Sequence, residues 1–350
     1  MEGGSNSSWT VSRSTVLTKS ETPIPTPGPS QVLVRVNAVS LNHRDHTVLH
    51  HTYPLPTKAN LVPCSDGAGT VVGAGPGSSW ATRSGEVVIL HPNTWLEGDL
   101  RNFDVESVLG GGDAHGTLTE YIVLDDVQIQ EAPTNLTVEE ASTLPTAALT
   151  AWNALFMGPI PCGPGISILT QGTGGVSSFA IQLAAAAGAT VIATSSSEEK
   201  LEVAKLLGAT HLINYRKIPN WSEEVLRITS GHGVDHVVNV AGSSTMEESL
   251  HSVRQGGVVS VLGMLSESKK TDLVPMLMMG GKTLRGVLGA GNKEMHEQLV
   301  KFIEHHDIHP TIARVFEFDQ AVDAFAYMEK HSEVGKIIIR ADRLITRGNV

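Results

Sequence analysis

The sequence predicts a two-domain α/β protein, one part an irregular β-rich domain and the other a doubly wound parallel sheet. Three observations carry the prediction. A chain of 350 residues exceeds what one hydrophobic core usually serves. From about residue 136, strand-like apolar runs alternate with helical ones, the rhythm of βαβ units. Gly172, Gly174 and Gly175 form a turn directly after a strand and before a helix.

Residues 1–30 are polar and Pro-rich, ending in "ETPIPTPGPS", and suit an exposed entry segment better than a core strand. "QVLVRVNAVSL" then alternates apolar and polar residues, and "GAGTVVGAG", "GEVVILH" and "TEYIVL" follow between Gly-rich turns. The helix-like "TVEEASTLPTAALTAWNAL" opens the second rhythm. "ISILTQ" is a buried strand, "SSFAIQLAAAAG" a helix stopped by Gly188, and "TVIATS" the next strand. "SEEKLEVAKLLG", "HLINY", "VDHVVNVAG", "SLHSVRQGG", "VVSVLG" and "TLRGVLG" continue in that style. "MHEQLVKFIEHH", "HPTIARVFEFDQAVDAFAYMEK" and "GKIIIR" read as helix, strand, helix, strand and return to the first domain. The expected domains are residues 1–135 completed by 296–350, and 136–295.

A net charge of −11 with no long Lys/Arg run argues against nucleic acid as a partner. Two cysteines, Cys64 and Cys162, are too few for a disulfide framework and fit a reducing compartment. The start "MEGGSNSSWT" lacks the basic and apolar regions of a secretory signal, and no apolar run reaches membrane-spanning length. A cytoplasmic protein acting on a small molecule, without a membrane partner, is expected.

In the glycine turn, Gly172 permits the tight bend and Gly174 lets backbone approach a pyrophosphate, whose charge meets free N–H groups of Gly175 and Val176 at the helix start. Thr173 lies between these glycines, and Ser177 stands where a third glycine is usual. A ligand-free Gly-rich connection is the bland alternative. The next strand ends "ATSSSEEK", without the acid that would hold the ribose hydroxyls of NAD. Thr194, Ser195 and Ser196 leave room for a 2′-phosphate, Lys200 brings a charge, and Tyr215 either closes the pocket or serves as packing. NADPH is therefore the expected cofactor. Ser196 and Glu199 also suit a capping box.

"LNHRDHTVLHH" places His46 and His50 one helical turn apart, where two imidazoles can share a face and bind a metal. A working zinc site needs a third protein ligand as well.

Across nearly its whole length the chain resembles the medium-chain dehydrogenase/reductase superfamily, and within it the zinc-free quinone-oxidoreductase-like and enoyl-reductase-like branch. "LNHRD", "LVPCSDGAGTVVGAG", "STLPTAALTAWNAL", "ISILTQGTGGVS", "GATVIATSSSEEKLEVAKLLGA", "INYR" and "GVDHVVNVAG" carry the resemblance in this order. It implies a GroES-like β-rich catalytic domain, a Rossmann domain, a cofactor in the cleft between them, and a homodimer. Zinc-dependent relatives draw catalytic ligands from positions that here are Asn42, Ser65 and Thr146, poor zinc ligands, with Asp66 the one acid kept. The Cys-rich lobe of a structural zinc is absent, since residues 95–116 hold no Cys. No metal is expected, and the histidines are expected at the surface or lining a pocket.

By the same resemblance Tyr53 lines the active site and donates a proton or hydrogen bond, and Asn42 bonds the nicotinamide ribose or the substrate oxygen. Thr150, Ala241, Gly242, Gly263, Met264 and Lys336 are expected near the nicotinamide half. Packing beside Pro54 for Tyr53, bare turns for the glycines and a solvated surface for Lys336 are the ordinary alternatives. Asp45 reads as a brace or helix cap. The expected reaction is reduction of an activated C=C, as in an enone, enal or quinone, by NADPH without zinc. A metal-free carbonyl reductase or alcohol dehydrogenase, and an NADPH-binding protein without chemistry, remain open.

Overall fold

A computed structural model describes residues 4–330 and 333–341, which form two compact units. Within them the first unit draws on residues up to 146, 292–330 and 336–341, and the second on 147–291 and 333–335.

The polar amino-terminal segment is not a loose entry. Strands β1 (Ser5–Val11) and β2 (Leu17–Pro23) pair antiparallel. Asn6, Ser7 and Ser8 are buried because each finds hydrogen bonds there: Asn6 exchanges two with the backbone of Tyr121, and Ser8 meets the Thr119 hydroxyl at 2.7 Å. Strand β3 (Gln31–Ser40) keeps its alternation but is buried along most of its length, since it has neighbours on both edges. Helix α1 (His43–Leu49) follows at once. Strands β4 (Asp66–Ala74), β5 (Val87–Leu90), β6 (Tyr121–Asp125) and β7 (Ile129–Glu131) complete the β-rich part, with β4 and β6 antiparallel to β3.

The expected single helix after residue 136 is broken. Helix α2 (Val138–Ala141) is capped by the Thr137 hydroxyl, a π-helical turn spans Leu144–Ala148, and α3 (Leu149–Phe156) resumes. Pro145 has no N–H to continue an α-helical ladder, and the wider turn absorbs that loss.

In the second unit, β8 (Ser167–Gln171), α4 (Gly175–Ala186), β9 (Thr190–Ser195), α5 (Glu198–Leu206), β10 (His211–Asn214) and α6 (Trp221–Ile228) form the first half. Helix α4 ends as expected before Gly188, which takes φ +82°. The cap of α5 falls one residue later than expected: the Ser197 hydroxyl, not that of Ser196, accepts from Lys200 N, because the strand ends at Ser195 and Ser197 is the extended residue. Strand β11 (Val234–Asn239), α7 (Met246–Ser252), β12 (Val253–Val261), α8 (Val274–Gly280) and β13 (Thr283–Gly286) form the other half. The six strands are parallel and ordered β10-β9-β8-β11-β12-β13, the doubly wound arrangement with its switch point between β8 and β11. This is a Rossmann-type sheet.

Helix α9 (Lys293–His305), strand β14 (Ile312–Glu317), helix α10 (Ala321–Glu329) and strand β15 (Lys336–Arg340) return to the first unit, giving a sheet ordered β14-β15-β3-β4-β5-β7 with β6 on β3. Its GroES-like core joins Val34 and Val36 of β3 to Leu90, Leu118 and Phe325. The junctions fall at 146/147 and 291/292 rather than 135/136 and 295/296. Helix α2 packs on β3 and β4, and α9 starts at a cap, Asn292, beside Lys293 N bonded to Trp95 O at 3.0 Å. No helix among the described residues is long and apolar enough to cross a membrane.

Candidate active site

In the second unit, the glycine turn sits at the carboxyl end of β8, beside the switch point. Gly172 takes φ +71°, a left-handed conformation that a side chain disfavours. Gly174 is different. Its backbone is extended, at φ −70° and ψ −178°, and it is the N-cap of α4, where a Cβ would meet nothing within 4 Å. This open space lies against the unsatisfied N–H groups of a twelve-residue helix, so the turn fits a pyrophosphate. Thr173 is buried and its carbonyl accepts from the Ser178 hydroxyl at 3.0 Å. Ser177, the departure from the three-glycine pattern, donates to Gln171 O at 2.8 Å and ties the helix back to the strand.

The end of β9 carries the expected serines. Thr194 is buried with its hydroxyl on Thr170 O, and Ser195 is buried too, so neither presents a free hydroxyl donor as readily as half-buried Ser196. Lys200 is half-buried on the first turns of α5. Tyr215 N bonds Ser195 O at 3.1 Å, which sets exposed Tyr215 beside this edge. Arg216, exposed and next in the chain, was missed by sequence reasoning, although "NYRK" offered the charge. Glu198, the nearest acid, accepts from Asn214 at 2.6 Å and pairs with Lys217 at 2.7 Å, so its charge is answered locally.

At the end of β11, Gly242 takes φ +94° and donates to Asn239 Oδ1 at 2.7 Å. Ala241 O accepts from Ser266 Oγ at 2.7 Å. Gly263 approaches so closely that a Cβ would stand 2.5 Å from Val240 O, while Met264 beyond it is exposed. Gln171, Asn239 and Ser249, all buried, and part-buried Thr245 form one hydrogen-bonded network joining the ends of β8 and β11 to α7. Thr150 is buried on α3.

In the first unit, the positions that hold zinc in the resembled enzymes come together, and a lysine joins them. Lys336, at the start of β15, is 4% exposed rather than solvated. Its ammonium donates to Leu41 O at 2.7 Å and to Asn42 Oδ1, and lies 3.7 Å from Asp66 Oδ2. Because an ammonium only donates, it fixes the Asn42 amide with Oδ1 toward Lys336 and Nδ2 as the donor, 3.5 Å from Ser65 Oγ. Ser65 donates to Asp66 Oδ1 at 3.0 Å, which leaves the Thr146 hydroxyl to donate to Ser65 at 3.1 Å. The π-helical turn puts Thr146 in place for this bond.

Asp45 is fully buried at the third position of α1 and accepts from Asn42 N at 2.7 Å, so it braces the turn that carries Asn42. Burial pushes its carboxyl up to about 6, against the opposing pull of Arg44. Burial also lowers Lys336 from its usual value, with Asp66 and Asp45 acting against the fall, and raises the Cys64 thiol. The glycine-rich loop after the two 3-10 turns packs on the backbone just before Ser65: a Cβ on Gly110 or Gly116 would strike the Cys64 backbone. Tyr53 stands after α1, partly buried on the first unit's core, with the Arg44 guanidinium 5.9 Å from its ring centre.

A zinc ion does not fit this donor set. An amide, two alcohols already bonded to each other, and a carboxylate with an ammonium beside it offer neither thiolate nor imidazole, and Lys336 already supplies a positive charge. The histidines of α1 lie elsewhere: the His46 and His50 rings are 4.3 Å apart, and both face Glu329 of α10.

Comparison with known proteins agrees with this architecture. A family model described as alcohol dehydrogenase GroES-like domain matches residues 28–134, and one described as zinc-binding dehydrogenase matches residues 175–305. A zinc-type alcohol dehydrogenase-like protein of Schizosaccharomyces pombe is 40% identical over 319 residues, covering 90% of this chain and 92% of that one. The 2-methylene-furan-3-one reductase of Solanum lycopersicum is 32% identical over 319 residues, covering 88% of this chain and 71% of the other. A solved structure from Sinorhizobium meliloti 1021 superposes with a TM-score of 0.88 at 35% identity, covering 97% of this chain and all of that one. With both domain types and relatives matched along nearly its whole length, the chain is an oxidoreductase that belongs to the medium-chain dehydrogenase/reductase superfamily.

Proposed function

We propose that the protein is an NADPH-dependent reductase of activated C=C bonds, in enones, enals or quinones, that works without zinc. The observation that carries this reading is Lys336, buried where the resembled zinc enzymes keep their metal ligands and bonded to Asn42. Without a Lewis acid there is little to stabilise an alkoxide, whereas conjugate reduction needs only hydrogen bonds to an enolate oxygen. The tomato relative, a furanone reductase by name, is consistent with that chemistry. Bound NADPH supplies a hydride for the β-carbon, and the electron pair of the double bond moves to the carbonyl oxygen. The Asn42 Nδ2, set as the donor end of the amide by Lys336, keeps a second N–H beside its 3.5 Å contact to Ser65 Oγ and donates it to that oxygen. The Tyr53 phenol delivers the proton that the product requires. Ser196, Lys200 and Arg216, beside the locally neutralised Glu198, receive the 2′-phosphate.

The test follows consumption of NADPH and NADH by chelator-treated protein with a panel of enones, quinones and aldehydes. Turnover of NADPH with an enone or quinone is expected, and Tyr53→Phe should lower kcat by about 100-fold. Turnover of aldehydes alone would replace this reading with a carbonyl reductase. Tight NADPH binding with no hydride transfer to any acceptor would leave a binding protein.

A further inference from the structure

The sequence offered two histidines one helical turn apart and no third ligand. The fold brings one from the far end of the chain. His46 and His50 of the α1 face converge on a single oxygen, Glu329 Oε1, at 3.5 Å from His46 Nδ1 and 2.9 Å from His50 Nε2. One ligand atom from each of the three residues lies within 4.8 Å of the others. Ligands of a tetrahedral zinc stand about 3.3 Å apart, so modest rotation of these side chains brings all three into range. Their side-chain exposures of 28, 38 and 45% leave them that freedom and admit an ion from solution.

We propose that His46, His50 and Glu329 form a binding site for a divalent transition metal, with solvent completing the coordination. Two imidazoles and one carboxylate select a borderline ion such as Zn2+ or Co2+ over Mg2+ or Ca2+, which prefer all-oxygen shells. The bound ion ties α1 to α10, two elements of the first unit that already pack together. Helix α1 has only seven residues and is capped by Asn42, so an ion at its far end stiffens the segment that presents that amide. The site is separate from the Lys336 cluster and does not depend on the reaction proposed above.

The experiment uses full-length, tag-free, chelator-treated protein. Zn2+ is titrated by calorimetry and Co2+ by its visible absorption. One ion per chain is expected, in the micromolar range, with a Co2+ spectrum of low coordination number and a raised melting temperature. His50→Gln and Glu329→Gln should each weaken binding by more than about tenfold, the loss that even an outer-shell partner causes. His232→Gln, an exposed histidine of the other unit, should change nothing. All three substitutions are at partly or fully exposed side chains, and an unchanged far-UV circular dichroism spectrum with a cooperative melting transition in metal-free buffer reports that the variants are folded. Absence of saturable uptake at millimolar Zn2+, or uptake that survives both His50→Gln and Glu329→Gln, overturns the proposal.

Discussion

Replacing Lys336 by methionine removes the ammonium 3.7 Å from Asp66 while keeping most of the apolar stem. Asp66 is fully buried and would retain the Ser65 hydroxyl but no cation. Breaking a buried pair from one side costs about 3–5 kcal/mol, because the remaining charge is uncompensated. Lys336→Met should therefore lower the urea midpoint strongly. Lys336→Met with Asp66→Asn should recover much of that loss, since the stranded charge goes with it. A double variant no more stable than the single one would show that Lys336 acts through Leu41 and Asn42 instead. Activity should not return with stability, because the Asn42 amide loses the donor that sets its orientation. The same cluster shows what was legible residue by residue. Asn42, Ser65, Asp66 and Thr146 were readable as a set by resemblance, but the lysine that completes them comes from about 270 residues further on than Asp66. A Lys in "VGKIIIR" carries no local sign of burial, since only the pairing of β15 with β3 places it there.

At the scale of the element, the turn between β8 and α4 separates folding from binding in two adjacent glycines. Gly172 needs its positive φ, so Gly172→Ala should cost about 1–2 kcal/mol of stability. Gly174 has ordinary extended backbone and open space around its Cβ direction, so Gly174→Ala should leave the melting temperature nearly unchanged. It should still weaken NADPH by tenfold or more, because the methyl group enters the space assigned to the pyrophosphate. Equal NADPH affinity in Gly174→Ala and the unsubstituted protein would remove the dinucleotide from this turn. The turn was legible because its spacing, its strand and its helix are local. So was the second unit's alternation, where β-branched runs and Gly188 mark real boundaries. The β1–β2 hairpin was not, since the buried side chains of Asn6 and Ser8 find their partners more than a hundred residues away, at Tyr121 and Thr119. The π-helical turn was hidden for a related reason: Pro145 announces a break, but not the form the break takes. Glu329, likewise, joins His46 and His50 only through the packing of α10 on α1.

The molecule as a whole buries neutral histidines in both units, and this sets its response to acid. In the second unit His236 bonds Ser260 Oγ at 2.8 Å, and burial lowers it to about 4, helped by Arg285. In the first unit His91 lies 3.2 Å from His296, Nδ1 to Nδ1. Asn93 Oδ1 accepts from Trp95 N at 2.8 Å and lies 3.2 Å from His91 Nε2, so that nitrogen carries the proton. Neutral His91 then accepts at Nδ1, and His296 donates. Protonating His91 Nδ1 breaks this bond, protonating His296 Nε2 buries a charge, and burial lowers His91 to about 3 and His296 well below its usual value. An unfolded histidine takes up its proton near pH 6.5, so between there and the folded values the unfolded chain binds more protons. Stability should accordingly fall as pH drops from about 6.5 toward 4, by up to about 1.4 kcal/mol per pH unit for each histidine. Asp45 opposes this in part: its carboxyl, raised from 3.8 to about 6, binds a proton in the folded state first and favours folding as pH falls through that range. His115, lowered by burial, adds to the loss, and exposed His309, raised by Glu140, opposes it with Asp45; the three deeply buried rings leave a net loss. Asp235, held low by Ser167 and Arg254 despite the upward push of burial, adds its own loss only below the ordinary aspartate range. Urea unfolding at pH 7.5, 6.5, 5.5 and 4.5 should show little change over the first step and a steep decline after it. His236→Asn should flatten the decline of the second unit, while His91→Asn should flatten that of the first. A stability that stays level from pH 6.5 to 4.5 would mean that these rings either reach solvent or are already protonated in the folded protein.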